Sequence, residues 1–118
     1  MTETDGLETL KARLRDFVAE RDWDQFHNPK NLVMALVAEA GELVEHFQWL
    51  TLEQSANLPR DTLAEVELEV ADVLLFLLRL CDKLDIDPVL AAARKLELNA
   101  AKYPVAQARG RATKYTKL

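Results

Sequence analysis

Two pairs of acidic residues lie inside stretches that otherwise have the apolar periodicity of buried helices. Glu39 and Glu42 form the first pair, and Glu69 and Asp72 form the second. A spacing of three residues places both carboxylates of a pair on the same face of a helix. Burying unpaired carboxylates costs several kcal/mol per ion, so two facing pairs require a counter-charge, and a divalent cation is the simplest. All-oxygen ligation favours Mg²⁺, Mn²⁺ or Ca²⁺, whereas two unrelated solvated helix faces are the alternative that spacing alone leaves open.

The composition indicates a globular, helical protein with one domain. The chain has 118 residues, of which 49% are hydrophobic and 30% charged, with only three glycines and four prolines. Its net charge of -5 argues against a nucleic-acid polymer as the partner, although residues 104–118 carry four basic residues and no acidic one. The single cysteine, Cys81, excludes a disulfide framework and the spacing of a zinc site.

The sequence predicts a cytoplasmic protein that does not insert into a membrane. Its first residues are acidic and lack the apolar segment of a signal peptide. Charged residues interrupt each apolar run before about 18 residues, the length that a membrane-spanning helix needs.

Apolar residues spaced by three and four predict four helices joined by short loops, and therefore an all-α, four-helix-bundle-like fold. The expected helices cover residues 7–20, 29–50, 61–84 and 88–102. The residues expected to begin helices are Thr4 or Asp5, Asn28 with Pro29, a capping box of Thr51 and Gln54 before a single turn, and Asp87 with Pro88.

The second predicted helix is apolar on more than one side. Such a helix is buried by several neighbours, which in a chain of this size favours an oligomer. Gly41 lies in its middle, where glycine costs about 1 kcal/mol relative to alanine. We expect close approach of a partner helix or of a substrate at this position.

The connection at residues 21–30 is rich in aromatic side chains. Trp23, Phe26 and His27 either plug the end of the bundle or form the wall of a site for a flat ligand. A di-iron site is excluded because neither His27 nor His46 lies three residues after a glutamate. His46 is interpreted as a surface or hydrogen-bonded residue.

Basic side chains are available for phosphate binding on two predicted helices. Lys95, Asn99 and Lys102 share one face of the last helix, either as ligands of outer phosphate oxygens or as a solvated face. Arg79 and Lys83 could bind phosphate, but we favour an internal ladder of ion pairs with the acids.

Together these residues resemble the MazG-like all-α nucleoside-triphosphate pyrophosphohydrolases. Glu39-x-x-Glu42, 26 intervening residues and Glu69-x-x-Asp72 match the E-x-x-E…E-x-x-D motif of that superfamily. Further stretches resemble its dCTP pyrophosphatase branch, from helix 1 to the last residue. They are Glu20-Arg-Asp-Trp-Asp-Gln-Phe-His27, Asn31-Leu32, Glu39-Ala-Gly-Glu-Leu43, Phe47-Gln-Trp49 and Lys114-Tyr-Thr-Lys-Leu118.

The resemblance implies Mg²⁺-dependent cleavage of a (deoxy)nucleoside triphosphate, dCTP or a modified dCTP, to the monophosphate and pyrophosphate. Mn²⁺ is a possible substitute. The implied metal ligands are Glu39, Glu42, Glu69 and Asp72, with Glu42 preferred to Glu39 as general base through a bound water. The candidate substrate contacts are Trp23, His27, Asn31, Trp49 and Phe76 for the nucleoside, with Lys95, Asn99 and Lys102 for phosphate. The family also implies a homotetramer, with sites built between subunits of a single domain over residues 1–118 and a basic tail at 105–118.

Two positions depart from the animal relatives of this branch. Leu14 stands where those relatives carry a substrate-contacting histidine, and Phe76 stands where they carry a tyrosine. Both changes remove polar groups near the nucleoside and affect base or sugar preference rather than the chemistry. A broad or dUTP-type pyrophosphohydrolase and a non-catalytic helical interaction module are the alternative functions.

Overall fold

The computed structural model describes residues 3–118, and this range is helical without any β-strand. Its α-helices are α1 (Glu3–Glu20), α2 (Pro29–Glu45), α3 (Leu52–Ala56), α4 (Arg60–Leu84), α5 (Pro88–Lys102) and α6 (Val105–Ala108). Two 3-10 turns follow α1 and α6, at Asp24–Phe26 and Tyr115–Lys117. The prediction of an all-α fold is confirmed. Within residues 3–118, none of the helices combines the length and the apolarity that a membrane crossing requires.

Three of the predicted helix starts are present as side-chain caps. The side chain of Asn28 accepts from the backbone N–H of Asn31, and that of Asp87 accepts from Val89 and Leu90. Thr51 and Gln54 form the reciprocal capping box, which begins the short helix α3. Each cap satisfies amide groups that the first turn of a helix leaves without an intrahelical partner.

Two helix bounds differ from the prediction. Helix α1 reaches back to Glu3, so Thr4 and Asp5 lie within the helix instead of capping it. Helix α2 ends at Glu45 rather than near Leu50. Among the backbone N–H groups that follow, that of Phe47 donates at 2.9 Å to the carbonyl of Val44, which is nearer in sequence than the fourth preceding residue. The apolar periodicity continues past this point, so the sequence pattern carries no signal for the tighter turns.

The chain divides into two compact units, of which the first ends at Asp85. In this unit α2 packs along α4, and α1 also packs on α4. Its core contains Val18, Leu32, Val66, Leu78 and Cys81. Cys81 is therefore a buried core residue.

The second unit covers Ile86–Leu118 and contains α5, α6 and the last 3-10 turn. The rings of Tyr103 and Tyr115 pack edge to face, with centroids 5.8 Å apart. The Lys102 ammonium lies 4.8 Å from the centre of the Tyr115 ring, a distance typical of a cation–π contact. The basic tail is thus ordered against the end of α5 within this unit.

Candidate functional site: an acidic cluster beside an aromatic pocket

Three of the four predicted acidic ligands converge in the first unit. Glu39 on α2 and Glu69 and Asp72 on α4 each offer a carboxylate oxygen, and these three oxygens lie within 4.8 Å of one another. The packing of α2 along α4 brings these carboxylates together. Glu42 lies beside this group, within hydrogen-bonding reach of Glu39.

The acidic cluster carries unsatisfied negative charge. The pKa of Glu39 is raised to about 7, first by a side-chain hydrogen bond with Glu42, then by burial and by a hydrogen bond with Glu69. The Oε2 atoms of Glu39 and Glu69 are buried and have no hydrogen-bond partner within the described range. Buried polar atoms are normally paired, so two unpartnered carboxylate oxygens at one place are suited to binding a cation.

A divalent cation fits this arrangement. Carboxylate oxygens are the ligands that Mg²⁺ and Mn²⁺ prefer, and two helices supply them from opposite sides. The hydrogen bond with Glu42, burial and the neighbouring acids raise the pKa of Glu39, and a bound cation would counteract these effects by attracting the carboxylates.

A pocket of about 240 Å³ adjoins the acidic cluster through Asp72. Its lining residues come from α1, the aromatic loop and α4, and they are Leu14, Phe17, Val18, Trp23, His27, Asp72, Leu75, Phe76 and Arg79. Trp23 packs edge to face on Phe17, with centroids 5.7 Å apart and an interplanar angle of 74°. Of the two readings of the aromatic loop, this geometry favours the wall of a site for a flat, mostly apolar ligand.

A profile of the MazG-like family matches residues 34–118 of the chain. The matched region includes all four acids and extends over most of the sequence. The chain belongs to the MazG-like family.

Characterised relatives of this MazG-like chain carry the name dCTP pyrophosphatase 1. The chain is 44% identical to that of Bos taurus over 115 residues, which cover 95% of this chain and 68% of the relative. It is 43% identical to that of Homo sapiens, covering 95% and 67%. The crystal structure of a pyrophosphatase from Archaeoglobus fulgidus superimposes with a TM-score of 0.80 at 42% identity, covering 84% of this chain and 93% of that one. The resemblance to the dCTP pyrophosphatase branch is confirmed.

The remaining nucleoside-contact candidates differ in how the structure places them. Phe76, Trp23 and His27 line the pocket. Asn31 instead donates its side-chain amide to the carbonyl of Phe26 at 3.2 Å and thereby holds the aromatic loop on the start of α2. Trp49 is 86% exposed in the turns after α2 and does not line the pocket.

The phosphate candidates lie on α5 in the second unit. Lys95 and Lys102 are exposed, and Asn99 is half-buried. Lys102 already contacts Tyr115. Their part in phosphate binding stays a prediction.

Gly41 on α2 has open space on its outer side. A Cβ atom at this position would meet no other atom of the described residues within 4 Å. No neighbouring helix among the described residues explains the glycine, and close approach by a partner subunit or the substrate stays a prediction.

The basic residues near the pocket are paired differently from the prediction. Arg79 donates to Asp24 and, at 3.2 Å, to Asp82, and Lys83 lies 2.6 Å from Asp24. These cations therefore form ion pairs with carboxylates outside the acidic cluster. The i, i+3 and i, i+4 spacing of Arg79, Asp82 and Lys83 was a signal for this network, but its partner in the aromatic loop was not predictable from spacing.

His46 is half-buried just after the end of α2. Its Nδ1 lies 3.7 Å from Oε2 of Glu65 on α4. It does not belong to the acidic cluster.

Proposed function

We propose that this chain is a divalent-cation-dependent nucleoside triphosphate pyrophosphohydrolase acting on dCTP or a modified dCTP. Water attack would break the bond between the α-phosphoryl group and the pyrophosphate, releasing a monophosphate and pyrophosphate. The names and the identities of the relatives support this reaction and this base.

One observation carries the proposal: Asp72 belongs both to the acidic cluster and to the aromatic pocket. A nucleoside triphosphate has two parts that match these two sites: a flat base for the aromatic pocket, and a polyphosphate chain that binds a divalent cation for the acidic cluster. A ligand with its base among Trp23 and Phe76 would therefore direct its phosphates toward the carboxylates.

Glu39, Glu69 and Asp72 would hold the cation, preferably Mg²⁺ and alternatively Mn²⁺. The cation, when bound, would neutralise charge on the triphosphate and increase the acidity of a coordinated water. Glu42 stands beside these three ligands and would orient or deprotonate the attacking water, in addition to any role as a ligand.

Assembly into a homo-oligomer, a tetramer by family resemblance, is part of this proposal. Helix α2 exposes a stripe of large apolar residues that includes Val33, Val37 and Val44, of which Val37 is 65% exposed. Exposed apolar stripes of this kind are typical of subunit interfaces. A neighbouring subunit would cover this stripe, approach Gly41 and supply Trp49 to complete the nucleoside site.

The remaining parts of the proposal concern the second unit and the cell. Lys95, Asn99 and Lys102 would bind outer phosphate oxygens, and the protein would act on the cytoplasmic nucleotide pool. A single domain over residues 1–118 would carry this activity.

The decisive experiment is a panel of unmodified and modified deoxynucleoside triphosphates with Mg²⁺, scored for pyrophosphate. We expect the highest kcat/KM for dCTP or a modified dCTP and no turnover after chelation. Preference for dUTP, or equal turnover of all bases, would refute the base assignment while leaving the reaction. Absence of both nucleotide binding and Mg²⁺-dependent turnover would favour the non-catalytic interaction module.

A further inference from the structure

Arg79 is a buried cation that lines the aromatic pocket and is held there by hydrogen bonds from its guanidinium group. Only 5% of its surface is exposed, and each of its three guanidinium nitrogens donates to a partner. Two partners are the carboxylates of Asp24 and Asp82. The third is unusual, because Nε donates to Nδ1 of His27 at 3.2 Å.

This contact determines where the proton of His27 lies. Arginine has donors and no acceptor, so an imidazole nitrogen that faces it must offer its lone pair. Nδ1 is therefore unprotonated, and the proton of the neutral ring lies on Nε2. A doubly protonated ring would place an N–H group of His27 against the N–H group of Arg79.

The electrostatics around His27 agree with this geometry. Burial lowers its pKa, and the charges of Arg79 and Lys83 on α4 lower it further, whereas Asp24 in the 3-10 turn opposes them. The ring is accordingly neutral near pH 7.

The carboxylates on either side keep Arg79 from moving away. Asp24 also pairs with Lys83 at 2.6 Å. Asp82 also accepts two hydrogen bonds from Arg15, both at 2.8 Å. Each carboxylate is thus held by a second cation and fixes the guanidinium against His27.

We infer that Arg79 is a positioning residue, which locks His27 as a neutral Nε2–H donor toward an acceptor atom on the base of the bound nucleotide. The inference rests on the proposed function, since it assigns the pocket to the base. Among the pocket-lining side chains, Leu14, Phe17, Val18, Leu75 and Phe76 offer no hydrogen bond. A donor of fixed direction in such an apolar wall discriminates between bases, because an unmatched polar edge would be buried without a partner.

Nitrogen-15 NMR of the His27 imidazole in the 118-residue chain tests the assigned tautomer without any assay of activity. For the wild type we expect a pyridine-type shift at Nδ1 and a pyrrole-type shift at Nε2 of His27, with or without dCTP. The reverse pattern, or shifts averaged between the two tautomers, would overturn the inference.

Three variants separate positioning from general stability. The glutamine of Arg79→Gln can accept as well as donate, so both neutral tautomers of His27 should become accessible. We expect KM for dCTP to rise by about 3- to 10-fold, which corresponds to the loss of one hydrogen bond. The effect of this variant on kcat should be smaller. Arg79→Lys, which can only donate, should keep the Nε2–H tautomer and restore most of the affinity.

The matched control is Lys83→Gln, which removes a cation from the same network but has no hydrogen bond to His27. It should leave the tautomer and KM unchanged, and an equal effect of Lys83→Gln and Arg79→Gln would overturn the positioning role. Both variants leave Asp24 and Asp82 with at least one cation each, which limits the risk of unfolding. If the wild type has the expected tautomer but does not turn over triphosphates, the proposed function is refuted, whereas the control of the His27 tautomer by Arg79 still holds.

Discussion

Glu39 on α2 and Glu69 on α4 each bury one carboxylate oxygen, Oε2, that has no hydrogen-bond partner in the described part of the chain. The two side chains share a cluster with Asp72 in which one oxygen of each lies within 4.8 Å of the others. Carboxylates this close repel one another when ionised, and a bound cation would replace that repulsion by attraction. The cluster therefore lies where the proposed reaction needs a metal.

Removing one carboxylate of the cluster should abolish activity without unfolding the protein. We expect Glu39→Gln or Asp72→Asn to lower kcat/KM for dCTP by about 100-fold or more, because a metal contributes several kcal/mol of charge stabilisation. Pyrophosphate release measures the effect, and circular dichroism checks the fold. Glu45→Gln on the same helix is the control, since Glu45 is exposed and does not belong to the cluster. Wild-type turnover in Glu39→Gln would contradict the metal assignment.

The contribution of Glu39 to the stability of the metal-free protein should fall as the pH rises. Glu39 has a pKa of about 7 in the folded chain against an ordinary value of 4.5. A raised carboxyl pKa gives stability that is present below about 4.5 and is lost as the pH rises through about 7. The difference in thermal stability between the wild type and Glu39→Gln, measured after chelation across this pH range, should show the loss.

Added Mg²⁺ should reverse the same loss. Above about pH 7 Glu39 is ionised and can bind the cation without releasing a proton, so the stabilisation by Mg²⁺ should be larger at about pH 8 than at about pH 5. A Mg²⁺ effect that is independent of pH, or absent, would argue against cation binding at this cluster.

Trp23 should contribute binding rather than chemistry. Stacking of a base on an aromatic side chain is worth about 1–3 kcal/mol, so Trp23→Ala should raise KM for dCTP by about fivefold or more while changing kcat less. Phe26→Ala is the control, because Phe26 belongs to the same loop and is 59% exposed but does not line the pocket. Equal effects of both changes on KM would indicate a general role of the loop instead of stacking.

Substitution of Gly41 by alanine should distinguish the cost of the glycine to helix stability from a functional role of this position. Gly41→Ala meets no other atom of the described chain and removes an unfavourable helix residue, so it should raise the free energy of unfolding of a dissociated subunit by about 0.5–1 kcal/mol. If a substrate or a partner subunit approaches the backbone here, the same change should lower turnover or assembly. An Ala variant with unchanged turnover and assembly would show that the glycine is only tolerated.

The proposed assembly predicts a particle larger than one chain. Light scattering of the wild type should give a multiple of the chain mass of 13.4 kDa. Val37→Lys should dissociate it, because a charge would replace an exposed apolar side chain in the stripe on α2. If the site needs Trp49 from a neighbour, turnover should fall together with the particle mass, and a fully active monomer would exclude a shared site.

Much of the fold was predictable because its signals are local. Asn28, Thr51 and Asp87 begin helices through hydrogen bonds to residues two or three positions away, so their effect is visible in the sequence. The end of α2 was not, since the turns after Glu45 follow no breaking residue and the apolar spacing continues through them. Local patterns specify where a helix can form more reliably than where packing ends it.

The sequence by itself determined that two helices carry paired carboxylates on one face each, because a spacing of three residues has that consequence in any α-helix. It also identified the aromatic loop and the family. Only the tertiary structure decided that Arg79, 52 residues from His27 and 55 from Asp24, is their hydrogen-bond partner. Contacts at such separations depend on how helices pack. The proton position on His27 and the orphaned oxygens of the acidic cluster are therefore properties of the fold, which no local pattern encodes.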